Sequence, residues 1–168
     1  HIVSSLQGKS DRICFVRAID TNPDAARDFS DANDLRFSSD FAEALDDDAV
    51  DAVILATPHS LHGEQIVRAA AAGKHVFSEK PLALNKASAA RAVAACEQAG
   101  VVLGVGHERR FEPALMEIKT LVDSGVLGTI MHVEANFSHD GLAAVKAGDW
   151  RASKTESPAA AMTGMGIH

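Results

Sequence analysis

DAVILATPHSLHGEQIVRAAAAGKHVFSEKP, residues 51–81, carries two apolar runs separated by one helical pattern. Ala52 to Ala56 is an unbroken aliphatic stretch, and Thr57-Pro58 ends it in a turn. Helix-forming residues then dominate over about 60–72 until Gly73 closes the helix. The apolar run resumes at His75-Val76-Phe77 and leaves through Ser78-Glu79-Lys80-Pro81. Strand, helix, strand in that order is a crossover unit. Strands apolar on both faces and separated by single helices belong to a parallel sheet covered on both sides. The expected fold class is therefore α/β, with a doubly wound parallel sheet.

The same alternation extends outward from this unit. RICFVRAI (12–19) reads as a strand that Asp20 ends, and Asn22-Pro23 then opens a helix over 24–33. Asp40 opens another helix, with Phe41 and Leu45 on one face. Downstream, Asn85 caps a helix that reaches about 99 and stops at Gly100, and VVLGVGH (101–107) is the last strand of this kind. Past Arg109 the pattern changes. Pro113 opens a helix with Leu115, Ile118 and Val122 on one side, closing at Gly125. In GTIMHVEANF (128–137), Thr129, Met131, Val133, Ala135 and Phe137 alternate with His132, Glu134 and Asn136. One apolar and one polar face predict an antiparallel strand. A domain boundary is expected near 108, dividing residues 1–108 from 109–168. The first part is expected to lack its opening strand and Gly-rich phosphate loop, and the second to be the N-terminal part of an α+β domain on an open antiparallel sheet.

Composition excludes some functions. With 23 acidic against 16 basic side chains the formal charge is −7, which repels phosphate backbones, so no nucleic-acid partner is expected. The apolar stretches are far shorter than the roughly 20 residues of a membrane span, so no membrane partner is expected either. Cys14 in its apolar run and Cys96 in its helical pattern read as buried free thiols, which suits a reducing cytoplasm.

In an open α/β sheet, ligands lie beyond the carboxyl ends of the strands. Asp20 ends one strand, where a carboxylate accepts hydrogen bonds from an adenosine ribose and repels a 2′-phosphate; as a plain turn residue before Asn-Pro it reads equally simply. Thr57, Pro58 and His59 end the next strand, and their hydroxyl and backbone groups can line a cofactor groove. Lys80 ends the one after that. A lysine at the mouth of a partly dry site can donate to a substrate hydroxyl and take part in proton transfer, and Pro81 favours an extended backbone at Lys80, which helps aim the side chain. Strand alternation sends Glu79 to the other face, as a loop anchor. His62, His75, His132 and His139 show no ligand spacing, and no metal site is expected.

KHVFSEKPLAL, preceded by ATPHSLHGEQIVRAAAAG and followed by GVGHERRFEPALMEIKTLVDSGVLGTI, resembles the glucose-fructose oxidoreductase, inositol dehydrogenase and rhizopine-catabolism (Gfo/Idh/MocA) family. The Glu-Lys-Pro motif, the Arg-Arg-Phe block and the closing Met-Gly-Ile-His stand in the family's order. The resemblance implies a Rossmann domain followed by an α/β domain on an open antiparallel sheet. It implies hydride transfer between NAD, with NADP as the variant, and a hydroxyl-bearing carbon of a sugar or cyclitol. Lys80 and His168 match the family's catalytic lysine and histidine, and Trp150-Arg151 its pair near the nicotinamide. The cofactor-binding set implied is Asp20, Thr57, Pro58, His59, His62, Glu79, Lys80, Trp150 and Arg151; the substrate-binding set is His107, Arg110 and His168. Many members carry an Asp four residues before that histidine, where this chain has Gly164. Relatives pair through their second-domain sheets, which implies a homo-oligomer. Two further readings stay open: a glycosidase that uses bound NAD transiently, and a ligand-sensing protein without catalysis.

Overall fold

In the computed structural model, residues 2–136, 140, 143–146, 148–160 and 162–167 are described. Among them the order is α1 (Ile2–Leu6), β1 (Arg17–Ile19), α2 (Pro23–Asn33), β2 (Arg36–Ser38), α3 (Phe41–Leu45), β3 (Ala52–Leu55), α4 (His59–Ala71), β4 (His75–Ser78), α5 (Lys86–Ala99), β5 (Leu103–Val105) and α6 (Pro113–Asp123). Every strand pair is parallel. The strands β3, β4 and β5 lie side by side in chain order, with Val53 opposite Val76 and Phe77 opposite Gly104. A separate pair, β1 and β2, sets Ala18 opposite Phe37. The chain has the Rossmann-type α/β fold expected of the strand–helix alternation.

Local signals set the helix ends. The Asp40 carboxylate accepts from the Ala42 N–H at 2.8 Å, and the Asn85 side chain accepts from the Ser88 N–H at 2.9 Å. These caps satisfy donors that a helix cannot satisfy itself. Gly100 closes α5 with φ +68°, where a Cβ would be strained. Helix α4 lies over β3 and β4 and packs against α5. Their shared core is Val50, Val53, Leu55, Ile66, Ala69, Ala70, Val76, Ala92 and Cys96. The alanines keep the two helices close, and Ile66 fills the centre. Phe41 and Leu45 of α3 pack onto the same cluster, and the Arg68 guanidinium lies 5.2 Å from the Phe41 ring centre. Asp47, just past α3, accepts from Arg17 at 3.0 Å and Arg36 at 2.7 Å, tying β1 and β2 to that turn.

Several expectations need correction. The strand expected over 12–19 is ordered as a ladder only at Arg17–Ile19, because its partner β2 is three residues long. Upstream, the Gln7 amide takes a strand's place, accepting from the Phe15 N–H at 2.9 Å and donating to the Phe15 carbonyl at 3.1 Å. The strand β2 has no counterpart in the sequence reading. Within the central strands Val53, Leu55, Val76 and Ser78 are buried, whereas Ile54 is 41% and Phe77 38% exposed. Cys14 is exposed rather than buried; Cys96 is buried, and its burial pushes the thiol's pKa up.

The alternating run 128–137 forms no strand among its described residues, 128–136; Phe137 lies outside them. A strand exists through ladder bonds to a neighbour, and no described residue supplies them. Met131 is 87% and Val133 77% exposed. No helix of the described residues is long and apolar enough to cross a membrane.

Candidate functional site

The carboxyl ends of β3 and β4 point the same way because the strands are parallel, and each exits into a proline. Pro58 caps α4, and Lys80 is joined to Pro81 by a cis peptide bond. Between these exits lies a cleft of about 200 Å3, lined by Ala56, Thr57, His59, His62, Glu79, Lys80, Trp150 and Arg151. Seven of the nine cofactor-side candidates thus meet in one place. Pro58 shapes the rim as the helix cap. Asp20 lies elsewhere, exposed at the end of β1, where its carboxylate accepts from the Asn22 N–H at 2.8 Å. That contact is a turn interaction of the ordinary Asx kind.

Each wall has an identifiable support. The Thr57 hydroxyl donates to Gln65 Oε1 at 2.6 Å, which turns it towards α4. His62, fully buried, sits with Nδ1 2.7 Å from the Pro81 carbonyl and Nε2 2.9 Å from the Thr57 carbonyl. Its ring forms part of the wall while both nitrogens face main chain. His59 Nδ1 lies 2.7 Å from the Glu156 carbonyl oxygen; a carbonyl only accepts, so this nitrogen carries the proton. The Trp150 ring meets His59 edge to face, with centres 4.9 Å apart. Over the same indole, the Arg151 guanidinium stands 4.3 Å from the ring centre.

The half-buried Lys80 donates from Nζ to the Gly164 carbonyl at 2.6 Å. Its ammonium therefore faces the stretch Met162–Gly166, a short π-helical turn, rather than bulk water. Such turns recur at functional sites. His168, four residues beyond Gly164, lies outside the described residues. Glu79 does not follow the alternation expected of it. Because β4 ends at Ser78, Glu79 and Lys80 both line the cleft, and the Glu79 carboxylate accepts from the Lys80 N–H at 3.2 Å.

Residue 156 was not legible in advance. Its carboxylate accepts from the Ser60 N–H at 2.8 Å and from the Ser60 hydroxyl at 2.6 Å, at the start of α4. A carboxylate here satisfies free helix donors and meets the positive end of the helix dipole. Burial by itself raises the Glu156 carboxyl, but the two Ser60 hydrogen bonds and the nearby His59 and His62 rings outweigh it and hold it below the usual carboxylate range. Ninety-six residues separate the partners, and no local pattern marks such a contact.

His107 and Arg110 line a second, larger cleft of about 410 Å3 with Val105, Gly106, Phe111, Met116, Lys119 and Thr120. His107 adopts a left-handed backbone, φ +63°, where β5 turns into Glu108–Phe111. Two of the three substrate-side candidates, His107 and Arg110, are therefore together, but in a different hollow from Lys80; the third, His168, lies outside the described residues. Among the described residues no three His, Cys, Asp or Glu side chains cluster as metal ligands.

A complete small-molecule site usually measures about 300–1,000 Å3, so the Lys80 cleft has room for one end of a ligand rather than for a whole dinucleotide. An ammonium donor, an indole and a guanidinium around a ring-sized hollow fit a nicotinamide with its attached hydroxyls.

Residues 2–107 match the family described as oxidoreductase family, NAD-binding Rossmann fold, and residues 115–168 match the GFO/IDH/MocA C-terminal domain. A scyllo-inositol 2-dehydrogenase (NAD(+)) of Bacillus subtilis is 42% identical over 93 residues, 55% of this chain and 27% of that protein. The D-xylose dehydrogenase of Paenarthrobacter nicotinovorans is 34% identical over 103 residues, 61% of this chain and 26% of its own length. Among solved structures, the WlbA dehydrogenase of Bordetella pertussis, in complex with NADH and UDP-GlcNAcA, superposes with a TM-score of 0.73 at 36% identity over 76% of this chain and 37% of that one. The chain spans less than half the length of each of these relatives.

Proposed function

Since this chain belongs to the Gfo/Idh/MocA oxidoreductase family, with its NAD-binding Rossmann fold, we propose that it is the cofactor-binding part and the beginning of the substrate domain of a dehydrogenase. The substrate is a sugar, cyclitol or related polyol, oxidised or formed at a hydroxyl-bearing carbon. The observation that carries this is the cleft that gathers Thr57, His59, Lys80, Trp150 and Arg151 at the carboxyl ends of β3 and β4. Relatives whose names state an NAD-dependent inositol or a xylose dehydrogenase activity support it.

A bound nicotinamide supplies or accepts the hydride. The residues of this chain do the rest. The Lys80 ammonium, held by the Gly164 carbonyl, has further N–H bonds to offer the reacting oxygen and favours its negative form as the proton leaves. Trp150 shields one side of the cleft from water, and Arg151 and His59 keep its ring in place. His168 is the acid/base group that takes the leaving proton in this reading, since an ammonium has no lone pair to accept it. Asp20, exposed at the end of β1, is the residue that selects NAD against NADP by its charge. His107 and Arg110, from their neighbouring hollow, meet the substrate's remote hydroxyls.

The chain is read as dividing near residue 108, and the left-handed turn at His107 supports that reading. The bare apolar side chains of Met131 and Val133 support a homo-oligomer built through that segment, and the free thiols Cys14 and Cys96 suit the cytoplasm. The reading is tested on the complete product of the reading frame that encodes this chain. Screening NAD and NADP against a panel of sugars and cyclitols at 340 nm should give net NADH formation with at least one polyol. Glycoside cleavage without net NADH would replace this reading with the glycosidase one, and binding without either reaction with a ligand sensor.

A further inference from the structure

Lys80 stands on a two-sided mount. On its N-terminal side the Glu79 carboxylate accepts from the Lys80 N–H, and the Glu79 N–H donates to the Leu55 carbonyl at 2.8 Å. On its C-terminal side the next carbonyl, that of Pro81, is taken up by a side chain of α4, the ring of His62. The same ring reaches the Thr57 carbonyl where β3 ends. His62 and Gln65 are three residues apart on one face of α4; Gln65 accepts from the Thr57 hydroxyl, and His62 Nε2 stands 2.9 Å from the Thr57 carbonyl. His62 is thus the side chain that spans the two lips of the cleft, and its 0% exposure leaves no route for it to reach a ligand with either nitrogen.

Both ring contacts are to carbonyl oxygens, which only accept. A neutral imidazole donates from one nitrogen; the two links coexist fully only when both nitrogens carry protons. The shorter link, at 2.7 Å, is the one to Pro81. We propose that His62 is a positioning residue for Lys80: its Nδ1–H holds the Pro81 carbonyl and so fixes the loop from which the Lys80 amine enters the cleft. This rests on Lys80 being the working group of the proposed site, and it assigns His62 a role distinct from contact with a cofactor.

The test uses two substitutions that divide the ring's functions. In His62→Asn the amide nitrogen stands where Nδ1 stood and can still donate to Pro81. In His62→Gln it stands nearer to Nε2 and can donate to Thr57 instead. The complete reading-frame product is reductively methylated with 13C-formaldehyde without any ligand, and modification at Lys80 is followed by peptide mass spectrometry. His62→Gln is expected to speed Lys80 modification about fivefold, the population change produced by losing one ordinary hydrogen bond, while His62→Asn stays within about twofold of the parent. Equal rates in all three proteins overturn the proposal, as does a faster rate in Asn than in Gln. Should neither variant fold, 15N-histidine NMR of the parent decides it, because Nδ1 of His62 must bear a proton and an unprotonated Nδ1 contradicts the account. Labelling needs no turnover, so its outcome is independent of whether the dehydrogenase reading holds.

Discussion

The Lys80 ammonium and the Gly164 carbonyl oxygen are 2.6 Å apart, 84 residues apart in the chain. Where many relatives are expected to place an Asp carboxylate, this chain offers main chain to the lysine. A neutral carbonyl anchors the amine without neutralising its charge, which in the proposed reaction leaves that charge for a developing alkoxide.

Because the acceptor is main chain, side-chain changes at 164 should spare it. A Cβ built at Gly164 meets no atom within 4 Å. Gly164→Ala is expected to leave the fold intact and to raise stability by up to about 1 kcal/mol through reduced freedom of the unfolded chain. Urea denaturation checks this, and a loss above about 1 kcal/mol would show that the glycine is needed by the fold. Gly166 differs, since a Cβ there would collide with the Met162 sulfur.

Glu156 ties residues 149–156 to the start of α4, and its depressed pKa gives that tie a pH dependence. A carboxyl whose folded pKa lies below its unfolded value of about 4.3 stabilises the fold above that value. The contribution disappears as pH falls through the folded pKa. Glu156→Ala should therefore lower stability at pH 7 by about 1 kcal/mol or less, a helix-cap effect moderated by solvent. Thermal melts of both proteins at pH 7 and below pH 4 should show the gap closing in acid. A gap independent of pH would mean that the charge contributes nothing.

Trp150 is the single tryptophan of the sequence, and it lines the cleft. The part of the emission that Trp150→Phe removes therefore reports occupancy of the cleft. Titration with NADH should quench it, with energy transfer to the bound reduced ring, and Trp150→Phe should abolish the signal. Unchanged emission at saturating NADH would place the cofactor elsewhere.

The main fold was legible where signals are local. Aliphatic runs, Asn85 as a cap and Gly73 and Gly100 as stops mark β3, α4, β4 and α5 in the order found. Short elements were not legible: Arg36–Ser38 becomes a strand because Arg17–Ile19 lies beside it, which is a tertiary fact. Cys14 misled for a related reason. An apolar neighbourhood in sequence does not bury a side chain unless the backbone turns it inward, and at 12–16 no ladder does so. At the site, Lys80, Thr57 and His59 could be placed because strand ends in a parallel sheet converge. The supports could not: His62 to Pro81, Glu156 to Ser60 and Lys80 to Gly164 join residues 19, 96 and 84 positions apart.

The central claim is that the Lys80 amine assists the reacting oxygen. The most direct measurement is steady-state turnover of Lys80→Met in the complete reading-frame product, with cofactor affinity measured alongside from Trp150 quenching. The account predicts a fall in kcat of about 10^2–10^4-fold with cofactor affinity within about threefold of the parent. Turnover within about threefold of the parent, in a folded variant that binds cofactor normally, would contradict it.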